Sequence, residues 1–100
     1  MINKTPGWTF LSNHGHVLIC IAKNPDIRLS AVAELVGIRE RTVHRIVHEL
    51  EDEGYLIVTK EGRKNLYRVN LDRPLRHSLE ADHDIRTIVA PFMRNTRKSA

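Results

Sequence analysis

The sequence predicts a mostly helical α+β domain with a three-helix core, a short strand, a two-stranded hairpin and a C-terminal helix. Apolar residues recur at helical spacing in four segments. Gly37 separates two of these helices by a turn of only three to four residues. After Gly54, two β-branched and aromatic-rich runs flank a glycine-bearing turn, as in a hairpin. One hundred residues are enough for one such core and too few for a second.

Composition and charge restrict the function classes. With 41% hydrophobic and 28% charged residues the chain is typical of globular proteins, and its net charge of +4 favours a polyanionic partner. The single cysteine, Cys20, excludes a disulfide framework and fits a reducing compartment. No apolar run reaches the roughly 18 residues that cross a bilayer, and the N-terminus lacks a basic-then-apolar secretory signal. We therefore expect a soluble cytoplasmic protein.

The first helix is predicted to begin at Ser12 or Asn13, either of which can cap it, and to end near Lys23. Its apolar face is wide, so we expect neighbours on two sides; the inward positions are Val17, Leu18 and Ile21. Trp8 and Phe10 precede this helix and are expected to be buried, because aromatic rings are costly to leave in water.

The next segment predicts two helices joined by a tight turn. A short extended strand at Ile27–Leu29 leads to Ser30, which is placed to cap the second helix. Ala33 is small, as a steep helix crossing requires, and Gly37 can adopt the positive φ of the turn. The third helix has an i, i+3, i+4, i+7 stripe formed by Val43, Ile46, Val47 and Leu50, and Gly54 ends it.

The outward face of the third helix suggests its partner. At about 100° per residue, Arg41, Arg45, His48 and Asp52 lie opposite the apolar stripe, with Thr42 and His44 at their flanks. Arginine can bind guanine through two hydrogen bonds, and threonine can contact a thymine methyl group. The competing interpretation is a solvated charged face. However, carboxylates crowd the last turn, where they oppose the helix dipole, so helix stability does not explain the order.

The predicted hairpin has basic residues at its tip. Its strands run from Tyr55 to Lys60 and from Asn65 to Asn70, joined by a turn over residues 61–64. Lys60, Arg63 and Lys64 are suited to phosphate contacts, as is Arg39 at the start of the third helix, where a capping residue is missing.

The chain resembles winged helix-turn-helix transcriptional regulators of the MarR-like broad group over about residues 8–70. The resemblance rests on Ala33, Gly37 and Val43 and on the segments 41–47, 50–56 and 65–70. It implies a repressor that binds double-stranded DNA and an 8–70 DNA-binding domain. The implied DNA contacts are Ser30, Arg39, Arg41, Thr42, His44, Arg45, His48, Lys60, Arg63, Lys64 and Asn65. MarR regulators are longer, so their ligand pocket is not carried over to this chain.

Residues 71–100 are predicted to form a separate C-terminal helical segment with a basic tail. Leu75–Glu80 can make one helical turn, and a last helix from about Asp82 would be kinked or divided by Pro91. Its stripe is too apolar for water and predicts a homodimer interface, with folding back onto the first helix as the alternative. The stripe comprises Ile85, Ile88, Val89, Phe92 and Met93.

Other chemistries have weaker support. His44 and His48 have metal-binding spacing but no third ligand, and Asp82-His83-Asp84 does not match a sensor site built with the remaining histidines, His14, His16 and His77. Cys20 fits a small core residue better than a redox sensor. No phosphate loop or nucleophile turn suggests an enzyme, and no cofactor is predicted. The main alternative is a winged-helix protein-interaction module, which would more often have an apolar outward face.

Overall fold

The computed structural model describes residues 6–93; the predicted basic tail, 94–100, lies outside them. Three helices precede a two-stranded antiparallel sheet, and a fourth helix follows it. The elements are α1 (Asn13–Lys23), α2 (Leu29–Val36), α3 (Glu40–Asp52), β1 (Leu56–Glu61), β2 (Lys64–Val69) and α4 (Arg86–Met93). The predicted mostly helical fold, a winged helix-turn-helix with an added C-terminal helix, is confirmed.

Helix α1 lies at the centre of the core. It contacts α2, α3, α4 and β2, so the expectation of neighbours on two sides is confirmed. Ser12 caps it by accepting a hydrogen bond from the Gly15 backbone N–H. The residues Val17, Leu18 and Ile21 are buried in one cluster with side chains from every other element.

The turn between α2 and α3 has the predicted geometry. Gly37 has φ +87°, and its N–H donates to the carbonyl oxygen of Ala33 at 2.8 Å. Ala33 and Val43 are both buried where the two helices meet. A left-handed residue at position 37 lets the chain reverse within the three residues between the helices.

Two local predictions before α2 are wrong. Helix α2 begins at Leu29, so Arg28 occupies the cap position and makes no side-chain capping bond, while Ser30 lies inside the first turn. The short strand is not formed, because the early helix start leaves too few extended residues to pair. The segment between α1 and α2 contacts the hairpin through one backbone hydrogen bond, in which the Tyr67 N–H donates to the Pro25 carbonyl oxygen at 3.1 Å.

The hairpin follows α3 directly. Gly54, with φ +83°, ends the helix, as predicted, and leads into β1. The strands pair from Leu56 with Val69 to Glu61 with Lys64, which leaves a two-residue turn at Gly62 and Arg63. Gly62 has φ +65°, the conformation that such tight hairpin turns require.

The C-terminal segment differs from the prediction in its first half. Residues 75–80 form turns rather than a helical turn, because an antiparallel bridge between Pro74 and Asp84 closes this part of the chain into a loop. Helix α4 therefore begins at Arg86 instead of near Asp82, and it includes Pro91.

Helix α4 packs on α1 of the same chain. Ile85 is 4% exposed and Val89 is fully buried, both within the common core. Both side chains are covered within the chain itself, as the alternative of folding back onto the first helix predicts. Phe92 and Met93 remain nearly half exposed.

The N-terminal aromatic pair is exposed, contrary to the prediction. Trp8 is 71% and Phe10 92% exposed, and the two rings contact each other edge to face at 5.0 Å between centroids. The faces of α1 that these rings would cover are occupied by α2, α3 and α4. None of the helices within residues 6–93 has the length and apolar character needed to span a membrane.

Candidate nucleic-acid interface

Helix α3 has one buried and one exposed face. The apolar stripe of Val43, Ile46, Val47 and Leu50 is buried in the core. Arg41, His44, Arg45 and His48 are all exposed, and Thr42 is half-buried at the border of the two faces. The residues of α3 that are predicted to contact DNA bases therefore share one surface, with Thr42 at its edge.

Carboxylates one helical turn away pair with most of the outward-facing basic residues. The distances between side-chain nitrogen and carboxylate oxygen are 3.4 Å for His44 and Glu40, 3.1 Å for Arg45 and Glu49, and 3.6 Å for His48 and Asp52. Arg41 makes no ion pair with any residue between positions 6 and 93. Exposed pairs of this kind contribute little to stability, so they can be exchanged for contacts with a nucleic acid.

Glu49 also connects the outward face of α3 to α1. His14 Nε2 donates to Glu49 Oε1 at 2.8 Å, and Arg45 Nη1 donates to the other carboxylate oxygen. These bonds, that of His14 first, hold the pKa of Glu49 below its ordinary value. His14 and Glu49 are 35 residues apart, so no local sequence pattern could have identified this contact.

The pH dependence of stability tests this link. Because the pKa of Glu49 is lowered on folding, its ionised form stabilises the fold at neutral pH, and that contribution is lost as pH falls through the lowered value. We expect the Glu49→Gln variant to lose less thermal stability than the wild type between about pH 5 and pH 3. Thermal unfolding measured across this range checks the prediction, with Glu51→Gln on the same helix as the matched control. Identical pH profiles for wild type and Glu49→Gln would contradict it.

The start of α3 has an exposed arginine in place of a capping residue. Arg39 occupies the cap position and makes no side-chain capping bond, as predicted from the sequence. Arg39 is exposed, and the backbone N–H groups of the uncapped first turn also favour an anion at this end of α3. Ser30 is exposed in the first turn of α2, so its hydroxyl is also accessible.

The hairpin of β1 and β2 is the wing of the fold, and its tip brings four predicted contact residues together. Lys60 is directly opposite Asn65 in the strand register, and Arg63 lies in the turn beyond them. Lys64 Nζ lies 3.7 Å from Oδ2 of Asp26, which is in the connection between α1 and α2. All four residues are exposed: Lys60, Arg63, Lys64 and Asn65. Three cations thus lie in or beside the two-residue turn. The hairpin is held next to α3, because α3 and β1 pack together.

We expect the Arg63→Ala variant to bind specific and random DNA more weakly by the same factor. A residue that contacts only phosphates carries no base preference, and its loss should reduce the slope of log affinity against log salt by about 0.9. Fluorescence anisotropy at several salt concentrations measures both quantities. An affinity loss confined to one DNA sequence would instead make Arg63 a base-reading residue.

The other candidate chemistries gain no supporting geometry. Within residues 6–93, no three or more His, Cys, Asp or Glu side chains form a group that could hold a metal ion. Cys20 is half-buried, and burial raises the pKa of its thiol, which favours the unreactive protonated form.

Comparison with known proteins agrees with this geometry. Residues 12–57 match a protein-family model described as winged helix-turn-helix DNA-binding. The match spans α1, α2 and α3 and enters β1. No curated protein matches the chain significantly. The chain thus contains a winged helix-turn-helix domain that is similar, through its three-helix core, to this family of DNA-binding domains.

Proposed function

We propose that this chain is a MarR-like transcriptional regulator of the cytoplasm that binds double-stranded DNA sequence-specifically and acts as a repressor by occupying an operator. The observation that carries the proposal is the face of α3 opposite the core, where Arg41, His44, Arg45 and His48 are exposed together. A helix with this face fits the major groove, with its N-terminal half nearest the bases.

In this arrangement Arg41 and Arg45 are the base readers. Arg41 needs no rearrangement, whereas Arg45 exchanges its ion pair with Glu49 for a contact with a base edge. Arg39 and the wing cations Lys60, Arg63 and Lys64 neutralise phosphates, which sets the register of the helix in the groove.

The character of this face also separates the proposal from its main alternative. A winged helix that docks on another protein would be expected to have apolar residues at the outward positions of α3, because charged residues are depleted at the buried centre of protein interfaces. The exposed positions in the first two and a half turns of α3 are instead Glu40, Arg41, His44, Arg45 and His48. The two arginines and two histidines among them favour a polyanionic partner.

Selection from a random pool of double-stranded DNA tests the proposal. We expect the full chain to enrich one motif, and to bind it at least about 10³-fold more tightly than random DNA of equal length at physiological salt. Folding of the protein is checked by circular dichroism under the same conditions. Equal affinity for every sequence, or no binding by the folded protein, would refute the sequence-specific regulator.

We further propose that two copies associate through the exposed end of α4. Phe92 and Met93 are nearly half exposed there, and Ile88 is half-buried beside them. A twofold dimer would place the two copies of α3 about one DNA turn apart, so the selected motif should be palindromic.

Sedimentation equilibrium at micromolar concentration should give a mass near twice 11.5 kDa. Replacing Phe92 and Met93 together by aspartate should halve that mass, because two charges would be desolvated at the centre of the contact. Leu79→Asp, an equally charged change at an exposed leucine outside α4, serves as the control. A wild-type monomer under these conditions would rule out the dimer.

A further inference from the structure

A groove lies at the C-terminal end of α3, away from Arg41 and His44 in the first half of the helix. It is bounded by the start of α1, the C-terminal half of α3 and the segment 75–88, and its volume is about 800 Å³. This is within the range of about 300–1,000 Å³ that small-molecule sites occupy. The groove is therefore large enough for a small organic ligand.

The floor of the groove is apolar. Leu18, Leu50 and Ile85 lie beneath it, already buried in the core, and the half-buried side chains of Leu11, Leu75 and Ile88 present apolar surface to the groove. These side chains come from the start of α1, from α3 and from the segment 75–88, so three parts of the chain form the floor. An apolar ligand body would gain burial there without ordering any mobile segment.

The rim of the groove is acidic. Its carboxylates are Glu49, Asp52, Glu53 and Glu80, against one arginine, Arg76, and one histidine, His14. Glu49 is paired with His14 and Arg45, and Asp52 with His48. Glu53 and Glu80 form no ion pair with any residue that the structure describes, so their charges are available to a ligand. This local excess of negative charge is opposite in sign to the net charge of +4 on the whole chain.

An exposed aromatic ring stands at the mouth of the groove. Phe10 lines the groove and is almost fully exposed, and Trp8 supports it by an edge-to-face contact. The face of an aromatic ring attracts cations, most strongly when the cation is poorly hydrated. Carboxylates, an apolar floor and an open aromatic ring are together complementary to one ligand class.

We propose that this groove binds a small organic cation with an apolar body, such as a quaternary ammonium or phosphonium compound. Anions are repelled by the unpaired rim carboxylates Glu53 and Glu80, and a purely polar cation would leave the apolar floor uncovered. The proposal does not depend on DNA binding, so it can fail or succeed independently of the proposed function.

Tetraphenylphosphonium and tetraphenylborate provide a matched test, because they have the same shape and opposite charge. Binding is measured by calorimetry and by the fluorescence of Trp8, the chain's single tryptophan. We expect the cation to bind at least about tenfold more tightly than the anion. Since the net charge of the chain favours the anion, a preference for the cation reports the local charge of the groove.

Two double variants locate the site. Glu53→Gln with Glu80→Gln should weaken binding of the cation by at least about tenfold, because each substitution removes a negative charge from the rim of the groove. Glu51→Gln with Glu61→Gln removes the same charge from exposed positions that do not line the groove, and should change the affinity less than twofold. Circular dichroism and thermal unfolding confirm that both variants remain folded.

Several results would overturn the proposal. These are equal or tighter binding of tetraphenylborate, and an equal loss of affinity in the two double variants. Binding of the cation only after removal of residues 94–100 would also overturn it, because the groove would then be the docking site of the chain's own basic tail.

Discussion

Replacing both Arg41 and Arg45 by alanine should weaken specific DNA binding by about 2–6 kcal/mol, the largest effect expected at the proposed interface. A bidentate arginine–guanine contact contributes about 1–3 kcal/mol of discrimination, and the two side chains are one helical turn apart on the same exposed face. Binding to random DNA should change much less. Gel-shift titrations with the selected motif and with random DNA measure both effects.

The matched control is Lys23→Ala with Arg76→Ala. It removes two exposed positive charges outside α3 and the wing, so it reports the effect of net charge alone. Thermal unfolding should be nearly unchanged in both double variants, because none of the four side chains is buried. If the affinity of the Arg41/Arg45 variant for the motif were within about twofold of the control's affinity, α3 would not be the helix that contacts the bases.

Ile85→Ala should lower the free energy of unfolding by about 2–5 kcal/mol, the largest effect expected on stability. Ile85 is 4% exposed and packs in the common core although it follows the wing in sequence. Urea unfolding measures the change. Leu79→Ala, at an 85% exposed leucine of the preceding loop, should change the free energy by less than about 0.5 kcal/mol.

The outcome also decides how the domain is bounded. Two-state unfolding with a large loss in Ile85→Ala means that residues 71–93 complete the core rather than form an appendage to it. An unchanged free energy of unfolding for Ile85→Ala would instead support the separate C-terminal segment that the sequence suggests.

Local chemistry made most of the fold predictable. The Ser12 cap, the left-handed Gly37 and Gly54 and the stripe of α3 act through neighbours within one or two turns, so the sequence records them directly. The exposure of Trp8 and Phe10 was not predictable in this way. It depends on which elements cover α1. One of them is α4, which begins more than 60 residues after α1 ends.

The same distinction holds for the candidate interface. Exposure of Arg41 and Arg45 follows from helical periodicity, and the ion pair of Arg45 with Glu49 could have been read from its i, i+4 spacing. The contacts of Glu49 with His14 and of Lys64 with Asp26 join distant segments. They result from how α1, α3 and the hairpin pack together, which no spacing in the sequence records.

The paired charges of α3 affect how the proposed regulator would find its site in a genome. The helix carries two arginines but four carboxylates, so with neutral histidines it is a net anion, whereas the hairpin carries four cations and one carboxylate. On random DNA the wing would hold the protein while the acidic helix is kept away from the phosphates. The protein could then slide along the duplex and insert α3 only where base contacts outweigh that repulsion.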